Sequence, residues 1–164
     1  MKGETAMTQE EINSTNWSQS VAGVCIKDGK VLLARHTYGN GKGMLIIPGG
    51  YVKFGETPEE TLVREYLEET GVTVKAGKLL GMRFGAKDWY AVFAAEYISG
   101  EARPDGDENS EVVWKDIAEA LADDTVPGLT KTMIECAVSG NGFALTPYQS
   151  KRQGNTLYTG QGSE

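Results

Sequence analysis

The chain has 164 residues, 40% of them hydrophobic, and a formal net charge of −7. It is long enough to bury one core, and its acidity argues against broad binding to a nucleic-acid backbone, which needs a basic surface. No apolar run approaches the roughly 20 residues that cross a bilayer as a helix, and the N-terminus lacks the apolar stretch of a secretory signal, so the expectation is a cytoplasmic protein with no membrane partner.

Residues 1–16 are polar and without periodicity, which predicts a flexible lead; a single domain is expected over 17–138. Two short apolar runs, Val21 to Ile26 and Val31 to Ala34, flank Lys27-Asp28-Gly29-Lys30, and an Asp-Gly pair between such runs predicts a hairpin. Arg35 and His36 lead into a glycine-rich loop at 38–43, where Arg35 is either a phosphate contact or one half of a surface ion pair. His36 is the only histidine, so no multi-histidine metal site exists, and it is read as a loop residue. Cys25 and Cys136 have no Cys or His neighbours of the kind a zinc site needs and are read as packing residues. Met44 to Ile47 is a short strand candidate, Pro48-Gly49-Gly50 a turn able to approach a ligand closely, and Tyr51 to Phe54 an extended piece.

A helix is predicted from Pro58. Thr57 caps it, Pro58 suits its first position, Glu60 completes a Thr-x-x-Glu box, and Gly71 ends it in a left-handed conformation. Leu62, Val63, Tyr66 and Leu67 form one apolar stripe, whereas Glu65, Glu68 and Glu69, spaced i, i+3 and i+4, share the roughly opposite face. Such a cluster is either a solvated charged face or a site for a hard divalent cation such as Mg²⁺, which favours carboxylate and phosphate oxygens.

Beyond Gly71, strands are expected at 72–74, 78–84 and 89–98, the last two joined as a hairpin. Trp89 and Tyr90 are either core aromatics or a platform for a base. The loop Gly100 to Ser110 carries four acids and runs into a short strand, Glu111 to Trp114; Glu108 and Glu111 are its candidate functional carboxylates, against the alternative of solvent-facing residues. Helices are predicted at 116–122 and 129–138. Residues 139–164 read as a mobile polar tail, although Phe143, Leu145, Tyr148, Leu157 and Tyr158 could pack as an arm on this subunit or on a partner, which leaves a homodimer open.

Gly50, Glu56, Arg64, Glu65, Glu68, Glu69, Gly71 and Val72 stand at the spacing of the Nudix box, and the chain resembles the Nudix hydrolase family over about Val21 to Val138. Tyr66 departs from the pattern, standing where relatives usually carry an aliphatic residue, and Leu45 stands where many carry a tryptophan. The resemblance implies an α/β fold, an α/β/α sandwich with a mixed β-sheet, which the order of strands and helices also suggests. It implies hydrolysis, with Mg²⁺ or Mn²⁺, of a phosphoanhydride bond in a nucleoside diphosphate linked to another group: a nucleotide sugar, ADP-ribose or a nucleoside triphosphate. Glu65, Glu68 and Glu69 would then hold metal, with Glu56 and Glu111 as further candidate ligands and Gly49, Gly50 and Arg35 as substrate contacts. Arg64 would orient a helix glutamate, with Glu68 or Glu56 as its partner. The base would be Glu65 or a loop glutamate, Glu108 ahead of Glu111. The alternatives are a catalytically silent ligand-sensing domain, against which the retained glutamates weigh, and an isoprenoid diphosphate isomerase, which would need a proton-transfer cysteine near the site.

Overall fold

The computed structural model describes residues 6, 8–9, 18–149 and 154–160. The expected N-terminal lead lies outside these, apart from Ala6, Thr8 and Gln9.

The fold is laid out around β1 (Ser18–Lys27). Its far end turns through Asp28 and Gly29, with φ of 51° and 74°, into β2 (Lys30–His36). Positive φ at both positions gives the two-residue turn whose twist matches the strands it joins. β1 also pairs antiparallel with β4 (Gly49–Tyr51) and parallel with β6 (Asp88–Ser99), while β2 pairs antiparallel with β3 (Leu45–Ile46) and β7 (Asn109–Asp116). With β5 (Thr73–Phe84) beside β6, the result is a mixed seven-stranded sheet. Two details differ from the sequence expectation. The glycine pair 49–50 is itself strand, Val21 facing Gly50 and Ala22 facing Gly49. The two strands expected at 72–84 are one, kept continuous by register shifts at Ala76/Leu79 and Leu79/Gly81 that absorb the irregular pattern.

Alternate residues of the strands feed two cores, as the two-residue side-chain period requires. Ala22, Val24 and Val92 pack with Ala120, Met133 and Ile134 of α2 (Ile117–Ala122) and α3 (Gly128–Ser139). Val21, Cys25 and Phe93 pack with Leu62 and Tyr66 of α1 (Pro58–Thr70). Helices thus cover both faces of the sheet. Each fully buried side chain of this kind contributes about 1.5–3 kcal/mol. Tyr66, the departure from the family pattern, is wholly buried and donates its hydroxyl to the Gly23 carbonyl at 2.5 Å. Gly23 leaves the room for it, since a Cβ there would stand 2.8 Å from Leu62 and 3.3 Å from the Tyr66 ring.

The described part of 139–164 packs on its own subunit rather than hanging free. Phe143 exchanges backbone hydrogen bonds with Leu79 at 2.9 and 3.0 Å, extending the pairing of β5. β8 (Ala144–Leu145) pairs with β9 (Tyr158–Thr159), which brings Tyr158 edge-on to Phe93 at 5.4 Å and its hydroxyl to Glu59 at 2.5 Å. Unpaired strand edge and buried aromatic area together hold a segment whose composition alone is that of a loose tail.

Candidate active site

The first turn of α1 is fixed as its sequence requires: Glu60 N–H donates to the Thr57 hydroxyl at 3.3 Å and Thr57 N–H to the Glu60 carboxylate at 2.9 Å. At the other end the Gly71 N–H closes onto the Leu67 carbonyl at 3.0 Å, with φ 74°. Between these caps the helix lays its glutamates against β4. A Cβ on Gly50 would fall inside the Glu65 carboxylate, and one on Gly49 would fall on the Val21 carbonyl and Ala22. The glycine pair is therefore needed for close approach, on one side to the helix acids and on the other to β1.

This junction is one wall of a cleft of about 760 Å³. Glu65, Glu68, Glu69, Arg64, Gly49 and Gly50 line it on one side, and Glu108 lines it from the loop before β7. Glu69 is not on an exposed face as its spacing suggested: it is 4% exposed, and Leu67, placed on the apolar stripe by the sequence, is 53% exposed. The helix is rotated so that Tyr66 meets Gly23, and that rotation turns Glu69 inward. Its carboxylate accepts the Gly49 N–H at 3.3 Å. Burial first, then the charge of Glu65, push its acid up to about 8. Glu108 is raised as well, by burial and then by Glu65, Asp105 and Asp107. Both are costs of gathering carboxylates in a partly desolvated place.

Arg64 is the hub of the wall. It donates Nε to Glu56 at 2.6 Å and Nη2 to the other oxygen of Glu56 at 3.0 Å, and it reaches Glu65 at 2.7 Å, Glu68 at 3.2 Å and the Tyr51 carbonyl at 3.1 Å. The paired donors fit the planar fork of a guanidinium, which lysine could not reproduce. Glu56 also accepts the Thr61 hydroxyl at 2.8 Å and the Lys53 N–H at 3.2 Å. These bonds, Arg64 foremost, hold its acid down to about 2. With its oxygens so engaged and its side chain outside the cleft lining, Glu56 anchors Arg64 and is not placed as a metal ligand.

Two further sequence candidates lie elsewhere. The register of β2 and β7 sets Arg35 directly opposite Glu111, and they form an ion pair at 2.8 Å. Arg35 is completed by the Gly43 carbonyl at 2.9 Å and Thr125 at 3.3 Å, and neither Arg35 nor Glu111 lines the cleft. Conversely, Asp105, Asp107, Tyr38, Lys53 and His36 line it although the sequence did not single them out for it, and so does Tyr90, which the sequence left between core aromatic and base platform. The four acids of the 100–110 loop were the available signal for Asp105 and Asp107. What brings Tyr90 to the cleft is β6 running parallel to β1, which pairs it with Ser20, another lining residue.

Among the described residues no three His, Cys, Asp or Glu side chains enclose a common point where a metal ion would sit, since Arg64 holds Glu65 and Glu68 aside. The donor set still suits a hard divalent cation: the candidate ligands are all carboxylates, and Glu69 is buried with no ion-pair partner among the described residues. Placed beside a diphosphate, such a wall can position a cation, and Glu108 can take a proton from across the cleft.

The family model described as NUDIX domain matches residues 17–136. An ADP-ribose pyrophosphatase of Methanocaldococcus jannaschii is 37% identical over 105 residues, covering 60% of this chain and 61% of that protein. An NAD-capped RNA hydrolase NudC of Photobacterium profundum is 35% identical over 102 residues, covering 58% of this chain and 36% of that one. This chain thus spans less than two thirds of the length of each of these relatives. Among solved structures, a NUDIX hydrolase from Nitrosomonas europaea superposes with a TM-score of 0.69 at 24% identity, covering 80% of this chain and 97% of that one. A MutT NUDIX hydrolase from Burkholderia pseudomallei gives 0.63 at 24% identity, covering 72% and 95%. These two likenesses bear on the fold: a mixed sheet between helices.

Proposed function

This chain belongs to the Nudix family, and we propose that it is a metal-dependent hydrolase that splits the phosphoanhydride bond of a nucleoside diphosphate linked to another group, with ADP-ribose and NAD-type dinucleotides the first candidates. The observation that carries this is the wall of Glu65, Glu68 and Glu69 packed over Gly49–Gly50 and facing Glu108 across one cleft. The choice of substrate follows the relatives named for ADP-ribose and NAD-capped RNA. Between those two, a net charge of −7 favours the small ADP-ribose over an RNA chain.

When bound, Mg²⁺ or Mn²⁺ supplies positive charge to the phosphate oxygens and acidifies a water. Glu65, Glu68 and Glu69 would hold it, with Glu65 and Glu68 turning from Arg64. Arg64 keeps its paired bonds to Glu56 and its bond to the Tyr51 carbonyl, so a fixed cation remains beside the diphosphate. Glu108, which lines the cleft from the loop facing the helix glutamates and whose acid is raised by burial, accepts the proton of the attacking water; Glu65 is the alternative. The water oxygen bonds to one phosphorus, the bridging P–O bond breaks, and each product leaves with a phosphate. ADP-ribose would yield AMP and ribose 5-phosphate.

The test is incubation of the protein and Mg²⁺ with ADP-ribose, NAD, nucleotide sugars, dinucleoside polyphosphates and oxidised nucleoside triphosphates, with products read by chromatography. AMP from ADP-ribose is the expected result. A panel left wholly intact, with one member nevertheless bound by calorimetry, would make the chain a ligand sensor instead.

A further inference from the structure

The loop that delivers Glu108 enters β7 through a bulge. Arg35 pairs with Glu111, but the next residue of β2, His36, pairs with Asn109, so Ser110 is the extra residue. A bulge bends its strand and re-aims the side chains beyond it. Here it sets Glu108 opposite Thr37, where an unbroken ladder would set Asn109. Thr37 then holds the loop. Its N–H donates to the Glu108 carbonyl at 3.0 Å, and its hydroxyl lies 2.9 Å from the Asp107 carbonyl and 3.0 Å from that of Glu108. From inside the loop, Asp105 accepts the N–H groups of Asp107 at 2.9 Å and Asn109 at 3.0 Å, and the Asn109 side chain is wholly buried.

This bracing opposes a definite force. Asp105, Asp107 and Glu108 line the same cleft as Glu65, Glu68 and Glu69, so their mutual repulsion pushes the loop away from α1. Thr37 itself does not line the cleft.

We propose that Thr37 is a positioning residue for the hydrolysis proposed above: its hydroxyl fixes the backbone of Asp107 and Glu108 so that the Glu108 carboxylate stays over the cleft facing Glu65. The inference rests on that hydrolysis and on Glu108 as its base. Valine at 37 keeps the β-branched shape and the N–H and removes only the hydroxyl, whereas serine keeps the hydroxyl.

The experiment compares wild type, Thr37→Val, Thr37→Ser, Glu108→Gln and the Thr37→Val/Glu108→Gln double variant in steady-state hydrolysis, with thermal melts to confirm folding. Thr37→Val should lower kcat about tenfold or more and leave KM within about twofold, since a base displaced by an ångström loses rate before binding. Thr37→Ser should restore kcat, and Thr37→Val should cost nothing further once Glu108 is gone. Amide exchange, read by mass spectrometry, should quicken at 105–109 in Thr37→Val, return to the wild-type rate in Thr37→Ser and stay unchanged in α1. If Thr37→Val does not fold, Thr37→Ala carries the same comparison. Wild-type kcat in Thr37→Val, an equal defect in Thr37→Ser, or full additivity with Glu108→Gln would each overturn the positioning role while leaving the hydrolase standing. A wild type that hydrolyses none of the panel would overturn both.

Discussion

Replacing Glu69 by Gln removes one negative charge from the most enclosed point of the acidic wall and keeps both its shape and an acceptor for the Gly49 N–H. Burial and the charge of Glu65 move the Glu69 acid from 4.5 up to about 8. At about 1.4 kcal/mol per unit, that caps the cost of ionising Glu69 in the folded, metal-free protein at about 5 kcal/mol. The effective dielectric of about 20 that buried sites show brings the expected penalty to about 1–3 kcal/mol. Its sign follows from linkage. The folded state holds this proton more tightly than the unfolded chain, so the stabilisation is full below about pH 4.5 and is lost as pH rises through about 8. In chelator, therefore, wild type should lose stability relative to Glu69→Gln across that interval, and above it the variant should melt higher. Added Mg²⁺ should reverse the order, because an ion bound only by the folded state at a hundred times its Kd adds about 2.7 kcal/mol, and the variant binds it less well. Turnover of the variant should fall about a hundredfold or more. Urea melts from pH 4.5 to 8.5, in chelator and in Mg²⁺, beside the activity assay, decide it. A variant less stable than wild type in chelator at every pH would refute the reasoning, because Glu69 would then be held by structural contacts worth more than its buried charge costs.

Chelation of divalent ions should abolish hydrolysis, with Mg²⁺ or Mn²⁺ restoring it; full turnover in chelator would remove the carboxylate wall from the mechanism. Tyr66→Phe deletes the hydroxyl that donates to the Gly23 carbonyl at 2.5 Å and should cost about 1–2 kcal/mol in urea melts with turnover unchanged; an unaltered melt would show that bond to be energetically silent. Deletion of 143–164 removes the pairing with Leu79 and the Tyr158 bond to Glu59, so the melting temperature should drop while metal-dependent turnover survives. Loss of turnover in a truncated protein that still folds would place part of the site in the arm.

What the sequence makes legible is what is local. Thr57, Pro58, Glu60 and Gly71 declare the ends of α1 because capping is chemistry between residues three or four apart, and the Asp28-Gly29 turn is equally local. Which face of α1 is buried is not local. It is set by Tyr66 meeting Gly23, 43 residues away, and so the burial of Glu69 and the exposure of Leu67 escape a count of helical spacing. The pair Glu108 and Glu111 shows the same limit in a strand. The sequence ranks Glu108 only slightly ahead of Glu111, whereas the structure holds Glu111 opposite Arg35 on the ladder and leaves Glu108, past the bulge at Ser110 and outside β7, in the loop that lines the cleft. One bulged residue leaves no trace in a hydrophobic pattern. The arm at 143–149 and 154–160 is hidden for a related reason, since its stability comes from a strand edge and from Phe93, neither of which its own composition reports.

The distribution of charge along the wall bears on the role proposed for a metal. Arg64 bonds to Glu56, Glu65 and Glu68, and Glu56 is the partner that takes two of its donors. One guanidinium thus faces three carboxylates, and the fourth, Glu69, is left buried with no cation partner among the described residues. A protein under no other demand would lower its free energy by a neutral residue at 69, since a buried unpaired carboxylate is retained only at a cost. Without a cation Glu69 keeps its proton up to about pH 8, so under the proposed mechanism a divalent ion would displace that proton beside Gly49. On that reading cation binding would release the Glu69 proton, and the buried position makes Glu69 the wall residue whose substitution should be felt most in metal affinity.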